Sequence, residues 1–275
     1  MVSQLQRLGW VTGGSQPVER LIGWESVVVR TGDGWIYRFS RLDEASFERE
    51  VAVLQAVDGH LGPMTPRVER IDKPHRLIAY RTITGHQLDL ERASTLHRAE
   101  RRDLVQSLAA TLAAMHNLDP QLPDGIIIPP LDSTTPRLIA EATRPQLDAT
   151  ERVLLDRLLT AWDDTALAHP TESPVLLHGD FHPGNMVFAT PTGALTGLWD
   201  FSCVERGDPS GDLRYLVADS ATLTEEVAQA YHALTGRTIE LAGARVIRVL
   251  EQIAGAVEES RPIGPELQVV AHWTR

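Results

Sequence analysis

Three oxygen-bearing side chains are spaced as phosphoryl transfer needs them. Asp180 and Asn185 lie five residues apart in a polar run that follows the apolar Val175-Leu176-Leu177. Asp200 closes the next two apolar segments, Met186–Phe188 and Leu195–Trp199. Moving a phosphoryl group takes a carboxylate to accept or orient the acceptor hydroxyl's proton, oxygen ligands for Mg²⁺, and in-line positioning. Mg²⁺ is satisfied by one or two protein oxygens together with phosphates and waters. An Asp, an Asn five on, a hairpin and a second Asp supply those parts. The alternation of His178, Asp180 and His182 admits a second chemistry, a hydrolytic metal site. Such sites draw further ligands from distant loops, and the remaining histidines show no paired spacing.

The elements that must position these residues follow from periodicity. Val27–Thr31 and Trp35–Phe39 flank Gly32-Asp33-Gly34 and read as a hairpin. Trp35, Tyr37 and Phe39 share one face of it, Ile36 and Arg38 the other. Phe47, Val51 and Leu54 form a helical stripe over Asp43–Val57, with Glu50 beside it and turned partly inward. Arg67–Ile71 and Leu77–Arg81 predict a second strand pair, turning around Lys73-Pro74. Thr82–Leu90 connects this region to a helical remainder. Helices are expected over Ala99–His116, Thr150–Leu167, Asp212–Asp219, Thr224–Leu234 and Leu241–Glu259. Pro120–Pro136 reads as a proline-rich loop, and Thr190–Gly193 as the turn between the last two short strands. A sheet-rich segment with one helix, then a mostly helical segment holding a small sheet, is an α+β chain of two lobes, residues 1–82 and 83–275.

Bulk composition narrows the partners. The chain has 275 residues, 43% hydrophobic and 23% charged, enough for a sizeable core. Net charge is −11, which argues against nucleic acid and leans weakly toward a cationic small-molecule partner. The single cysteine, Cys203, excludes a disulfide framework and fits a cytoplasmic setting. Met1–Trp10 has no signal-peptide pattern. No apolar stretch approaches the roughly 18 residues of a membrane span. Oligomeric state is not readable.

His178-Gly179-Asp180-Phe181-His182-Pro183-Gly184-Asn185 resembles the H-G-D-x-H-P-G-N signature of the aminoglycoside phosphotransferases and the related macrolide and choline kinases. Leu198-Trp199-Asp200-Phe201, followed by Gly207-Asp208-Pro209-Ser210-Gly211-Asp212-Leu213, resembles that family's I-D-W/F … G-D-P-x-x-D-L segment. The resemblance implies a bilobal protein-kinase-like fold and γ-phosphate transfer from ATP or GTP, with Mg²⁺, to a small-molecule hydroxyl. The acceptor it points to is an antibiotic such as an aminoglycoside or macrolide; a choline- or sugar-like metabolite is the alternative. It implies Asp180 as catalytic base, Asn185 and Asp200 as Mg²⁺ ligands, and His178, His182 and Asp212 as supports of the loop. Arg38 stands where kinases keep their phosphate-binding lysine, and an arginine can hold phosphate bidentately. Glu50 would pair with it. Leu21–Ser26, with the single glycine Gly23, takes the place of the loop over the phosphates and puts Ser26 at its end. Ile78–Thr84 takes the hinge, with Tyr80, Thr82 and Ile83 toward the nucleobase. The family builds its acceptor site in the C-terminal helices, where Glu251, Glu258 and Glu259 are either pocket residues or a solvated helix face. Gly179 replaces the arginine of protein-kinase catalytic loops, and no A-P-E segment is visible, which sets protein kinases aside. A non-catalytic kinase-like module would rest only on the absent lysine.

Overall fold

The structure is a computed structural model that describes residues 1–11, 17–88, 93, 95–169, 171–190 and 193–273. Residues 17–81 form an antiparallel sheet of strands β1 (Pro17–Ile22), β2 (Ser26–Thr31), β3 (Trp35–Ser40), β4 (Arg70–Asp72) and β5 (Leu77–Arg81), in spatial order β1-β2-β3-β5-β4. A short helix α1 (Val2–Arg7) lies on one face and α2 (Glu44–Leu61) on the other. The alternation in β3 decides which side chain meets which helix. Trp35, Tyr37 and Phe39 pack with Leu5, Val11 and Leu77, and the Tyr37 hydroxyl donates to the Trp10 carbonyl at 2.8 Å. Ile36 and Arg38 face the α2 side. Asp43 caps α2 by accepting the Ser46 N–H at 2.7 Å.

The rest is mostly helical: α3 (Arg98–His116), α4 (Thr134–Ala142), α5 (Ala149–Asp163), α6 (Arg214–Asp219), α7 (Ala221–Thr235), α8 (Leu241–Glu258) and α9 (Gly264–Ala271). Two small antiparallel sheets sit among them. One pairs β6 (Val175–Leu177) with β9 (Glu205–Gly207), the other β7 (Met186–Phe188) with β8 (Leu195–Leu198). One apolar core runs from Phe47 and Leu54 of α2 through Leu108 and Leu112 of α3 to Phe181, Phe188 and Tyr231. A second joins Leu158 and Trp162 of α5 to Ile247 and Leu250 of α8 and Leu267 of α9. No helix among the described residues is long and apolar enough to cross a membrane.

The expected elements stand with shifted ends. The α2 helix runs on to Leu61, stopping at Gly62 with φ +59°. The expected helix over Thr150–Leu167 ends at Asp163, with a separate 3₁₀ turn at Ala166–Ala168. The loop over Pro120–Pro136 gives way to α4 from Thr134. Strands β1 and β9 and helices α1, α4 and α9 were not expected: each is short or lacks a long run of matched periodicity. Parts of the Thr82–Leu90 connector and of the Thr190–Gly193 turn (residues 89, 90, 191 and 192) lie outside the described residues.

Candidate functional site

The strand β6 is wholly buried and delivers His178 to the start of the His178–Asn185 run. The His178 ring is a spacer. Its Nε2 meets the Trp199 carbonyl at 2.9 Å, and its Nδ1 accepts the Asp180 N–H at 3.2 Å. Those two bonds require the neutral Nε2–H tautomer, and burial lowers the ring's pKa accordingly. Both nitrogens are committed, so His178 is not free to ligate the hydrolytic metal that the His-Asp-His alternation allowed. Among the described residues no group of three or more His, Cys, Asp or Glu is placed to hold a metal ion.

Asp212 anchors the same turn from below. Its carboxylate accepts the His178 N–H at 2.9 Å and the Gly179 N–H at 2.8 Å. His116 Nε2 lies 3.1 Å from it, and His116 Nδ1 meets the Tyr231 hydroxyl at 2.9 Å. Burial acts to raise the Asp212 carboxyl, but His116 and the backbone donors hold it below its ordinary value. Gly179 has φ +80°, and a Cβ there would lie 1.7 Å from the Cys203 carbonyl oxygen. An arginine at this position, as in protein kinases, has no room. Arg214 completes the brace by donating to the Gly179 carbonyl at 2.6 Å and the Gly211 carbonyl at 2.9 Å.

Beyond that brace the chain turns Asp180 toward solvent, its side chain about a quarter exposed. The Asn185 Nδ2 amide donates to Asp180 Oδ2 at 2.6 Å and to the Asp180 carbonyl at 3.0 Å. The amide oxygen of Asn185 is therefore the end directed away from Asp180. His182 stands closer to the chemistry than a loop support would: its Nε2 is 3.5 Å from Asp180 Oδ2. Burial alone would raise the Asp180 carboxyl, but His182, and behind it Asn185, hold it below the ordinary carboxylate value. The same contact raises the His182 pKa.

Across the cleft, Arg38 is 3% exposed. One guanidinium nitrogen bonds Glu50 and another donates to Asp200 Oδ1 at 2.6 Å. Glu50 is buried outright rather than turned partly inward. Burial pushes its carboxyl up to about 6, against the pull of Arg38. Arg38 stays charged, and a Glu50 carboxyl at about 6 is mostly ionised at neutral pH. Asp200 stands at the end of the hairpin in the left-handed region, with φ +64°. Ser202 was not foreseen. Its hydroxyl donates to Asp200 Oδ1 at 2.5 Å and also contacts the Glu25 carboxylate, in the turn between β1 and β2. A serine two residues past an aspartate, opposite an acidic turn, carries no sequence signal by itself; nor does Arg214, whose role depends on where the chain folds back.

Arg38, Ser26, Tyr80, Thr82, Ile83 and Asp200 all line one cleft of about 540 Å³. The Thr82 N–H is already committed to the Gly34 carbonyl at 2.9 Å. The segment after β5 is pressed onto the β7–β8 hairpin: a Cβ on Gly197 would lie 2.5 Å from Ile83 Cγ2. His178, Asp180, His182 and Asn185, on the loop after β6, and Asp212, in the 3₁₀ segment Pro209–Leu213, do not line this cleft. Glu251 is not a pocket wall. It is half-buried and pairs with Arg214 at 2.9 Å and with Arg248 at 3.8 Å. Glu258 is solvent-facing, and Glu259 pairs with Arg261 at 2.5 Å.

The phosphotransferase enzyme family (APH) matches residues 18–248. No curated protein sequence matches the chain. Among solved structures, the GDP and kanamycin complex of APH(2")-IIIa superposes with a TM-score of 0.78 at 19% identity, over 97% of this chain and 95% of that one. The ADP-bound aminoglycoside phosphotransferase APH(2'')-Ib gives 0.72 at 17%, over 98% and 96%. The macrolide 2'-phosphotransferase MphH apoenzyme from Brachybacterium faecium gives 0.64 at 20%, over 98% and 97%.

Proposed function

The chain belongs to the phosphotransferase enzyme family and is a small-molecule kinase; from that premise we propose that it transfers the γ-phosphate of ATP or GTP, with Mg²⁺, to a hydroxyl of a small molecule. The observation that carries this reading is a convergence. Arg38, from the sheet, hydrogen-bonds Asp200, from the far hairpin, on the wall of a cleft that also holds Ser26, Tyr80, Thr82 and Ile83. In this reading the nucleotide lies between the 1–82 and 83–275 lobes. Arg38, fixed by Glu50, faces its phosphates, and the backbone of Thr82–Thr84 meets the base.

Asp200 and the free oxygen of the Asn185 amide form a two-oxygen donor set, which fits Mg²⁺ and would hold it. The ion, when bound with nucleotide, would neutralise charge on the phosphates. The chain's own groups do the rest. Asp180 accepts the acceptor hydroxyl's proton at its carboxylate and aims that oxygen at phosphorus. Asn185 fixes the Asp180 rotamer through Nδ2. His178 and Asp212 fix the backbone on which both stand. Most of the acceleration comes from positioning and from preorganised charge. Antibiotics of the two classes named for the structural neighbours make the first acceptor panel, with amino alcohols and sugars beside them. The lone thiol of Cys203 fits a cytoplasmic setting.

The test is kinetic. Asp180→Ala should lower kcat by about 10²–10⁴-fold, the range for loss of a positioned base, with nucleotide KM within about twofold. Asp200→Ala should instead raise the KM for Mg²⁺-nucleotide. The reverse pattern would show the two roles exchanged, and equal activity in wild type and Asp180→Ala would end the reading.

A further inference from the structure

The turn between β1 and β2 carries a carboxylate, Glu25, that takes no part in the transfer steps. The backbone of the turn is fixed. The Arg41 N–H donates to the Glu25 carbonyl at 2.7 Å, and the Gly23 N–H donates to the Ser26 carbonyl at 2.9 Å. Trp24 is 83% exposed, whereas Glu25 is half-buried and its carboxylate reaches the segment after Asp200. There it contacts the Ser202 hydroxyl, and the Cys203 thiol donates to it at 3.4 Å. Neither contact is to a cation.

The surroundings hold more acceptors than donors. The Ser202 hydroxyl lies 2.5 Å from Asp200 Oδ1 as well as against Glu25. A hydroxyl has a single proton, so it satisfies only one of these carboxylates at a time. The guanidinium of Arg38 is already divided between Glu50 and Asp200. Glu50 Oε2 is nonetheless buried with no hydrogen-bond partner among the described residues. Burial raises the Glu50 carboxyl, Arg38 opposes it, and the charges of Asp200 and Glu25 add to the rise, so the field of Glu25 reaches this point. Arg30, also on the cleft wall, faces Glu19 at 3.1 Å. The single lysine of the chain, Lys73, is held by Glu48 at 2.8 Å. Glu25, Glu50 and Asp200 thus surround one guanidinium with a surplus of negative charge.

We propose that Glu25 is a specificity-determining residue for the nucleotide, admitting the form that carries a divalent cation and rejecting the metal-free form. The proposal rests on the kinase reading above, in which Arg38 faces the phosphates. A metal-free triphosphate brings its full charge to a place already rich in carboxylate, and like charges set against each other cost affinity. The Mg²⁺-bound form brings less negative charge, and its ion favours hard oxygen acceptors of the kind left without donors here. Glu25 acts by its charge and neither ligates the ion nor takes a proton.

The test is calorimetric titration of the full chain with ATP and with GTP, each in Mg²⁺ and in EDTA. Glu25→Gln keeps the side-chain length and can still bond Ser202. It should tighten metal-free binding about tenfold and leave Mg²⁺-nucleotide binding within about twofold, as for one like charge removed between partly screened groups. Glu25→Asp keeps the charge and should keep the wild-type ratio of the two affinities. Both affinities are taken on the same sample, so any loss of folded fraction cancels in the ratio. An unmoved ratio in Glu25→Gln overturns the proposal. So does an equal gain for both forms, which would mean that Glu25 acts through the shape of the turn. A loss confined to the Mg²⁺-bound form would make Glu25 a metal ligand and overturn it as well. If wild type binds neither nucleotide in Mg²⁺, the kinase reading fails and takes this inference with it. Mg²⁺-nucleotide binding with an unmoved ratio defeats the inference alone.

Discussion

Gly179 is the residue at which the loop's geometry is most sharply determined. Its left-handed φ and the 1.7 Å approach of an added Cβ to the Cys203 carbonyl leave no side chain room there. The two constraints act together, because relieving the contact means moving the backbone that sets φ. Gly179→Ala should cost about 1–3 kcal/mol from backbone strain alone. Because Asp180 follows directly, kcat should fall with it. Denaturant unfolding and steady-state kinetics on one sample would check both; an alanine variant of unchanged stability would show that the Cys203 loop yields.

Among the elements, β6, the 3₁₀ segment Pro209–Leu213 and α3 behave as one unit because Asp212 ties them. Its carboxylate takes two backbone donors from the end of β6 and the His116 ring from the end of α3. Asp212→Ala would strand buried partners and should destabilise the chain by about 3–5 kcal/mol; Asp212→Asn, which keeps one acceptor, should cost less. If the two variants melt together, the carboxylate's second oxygen contributes nothing. How far such features are readable beforehand depends on how local they are. The Asp180–Asn185 run was legible because six consecutive positions of one loop carry it, and Arg38 was legible from strand alternation. The burial of Glu50 was only half visible, since a helical stripe gives its angle but not what packs against it. Ser202, Glu25 and Arg214 were invisible. Each acts across more than 30 residues of chain, or through a backbone carbonyl, and neither leaves a spacing. Helices α4 and α9 escaped for a different reason: at nine and eight residues, each offers few turns over which a period can register.

For the whole molecule, a half-buried cluster joins like and unlike charges: Glu205, Arg214 and Glu251. Burial, opposed by Arg214 and reinforced by Glu251, pushes the Glu205 carboxyl up from 4.5 to about 7. A folded-state pKa above the unfolded one means that the group's stabilising contribution is complete below about pH 4.5. It is lost as pH rises through about 7. Global stability should therefore carry a declining component between those limits, and Glu205→Gln should flatten it. Melting temperatures taken at half-unit pH steps would show the slope, and an unchanged slope in the variant would assign it elsewhere. What Gly179 packs against is the carbonyl of Cys203, not its thiol, and burial followed by the Glu25 charge pushes that thiol's pKa up, away from reactivity. Cys203→Ala should thus give an active chain with no cysteine at all. Pairs of cysteines introduced on the sheet and on α8 could then carry fluorophores, and the separation of the lobes could be followed by energy transfer as nucleotide arrives.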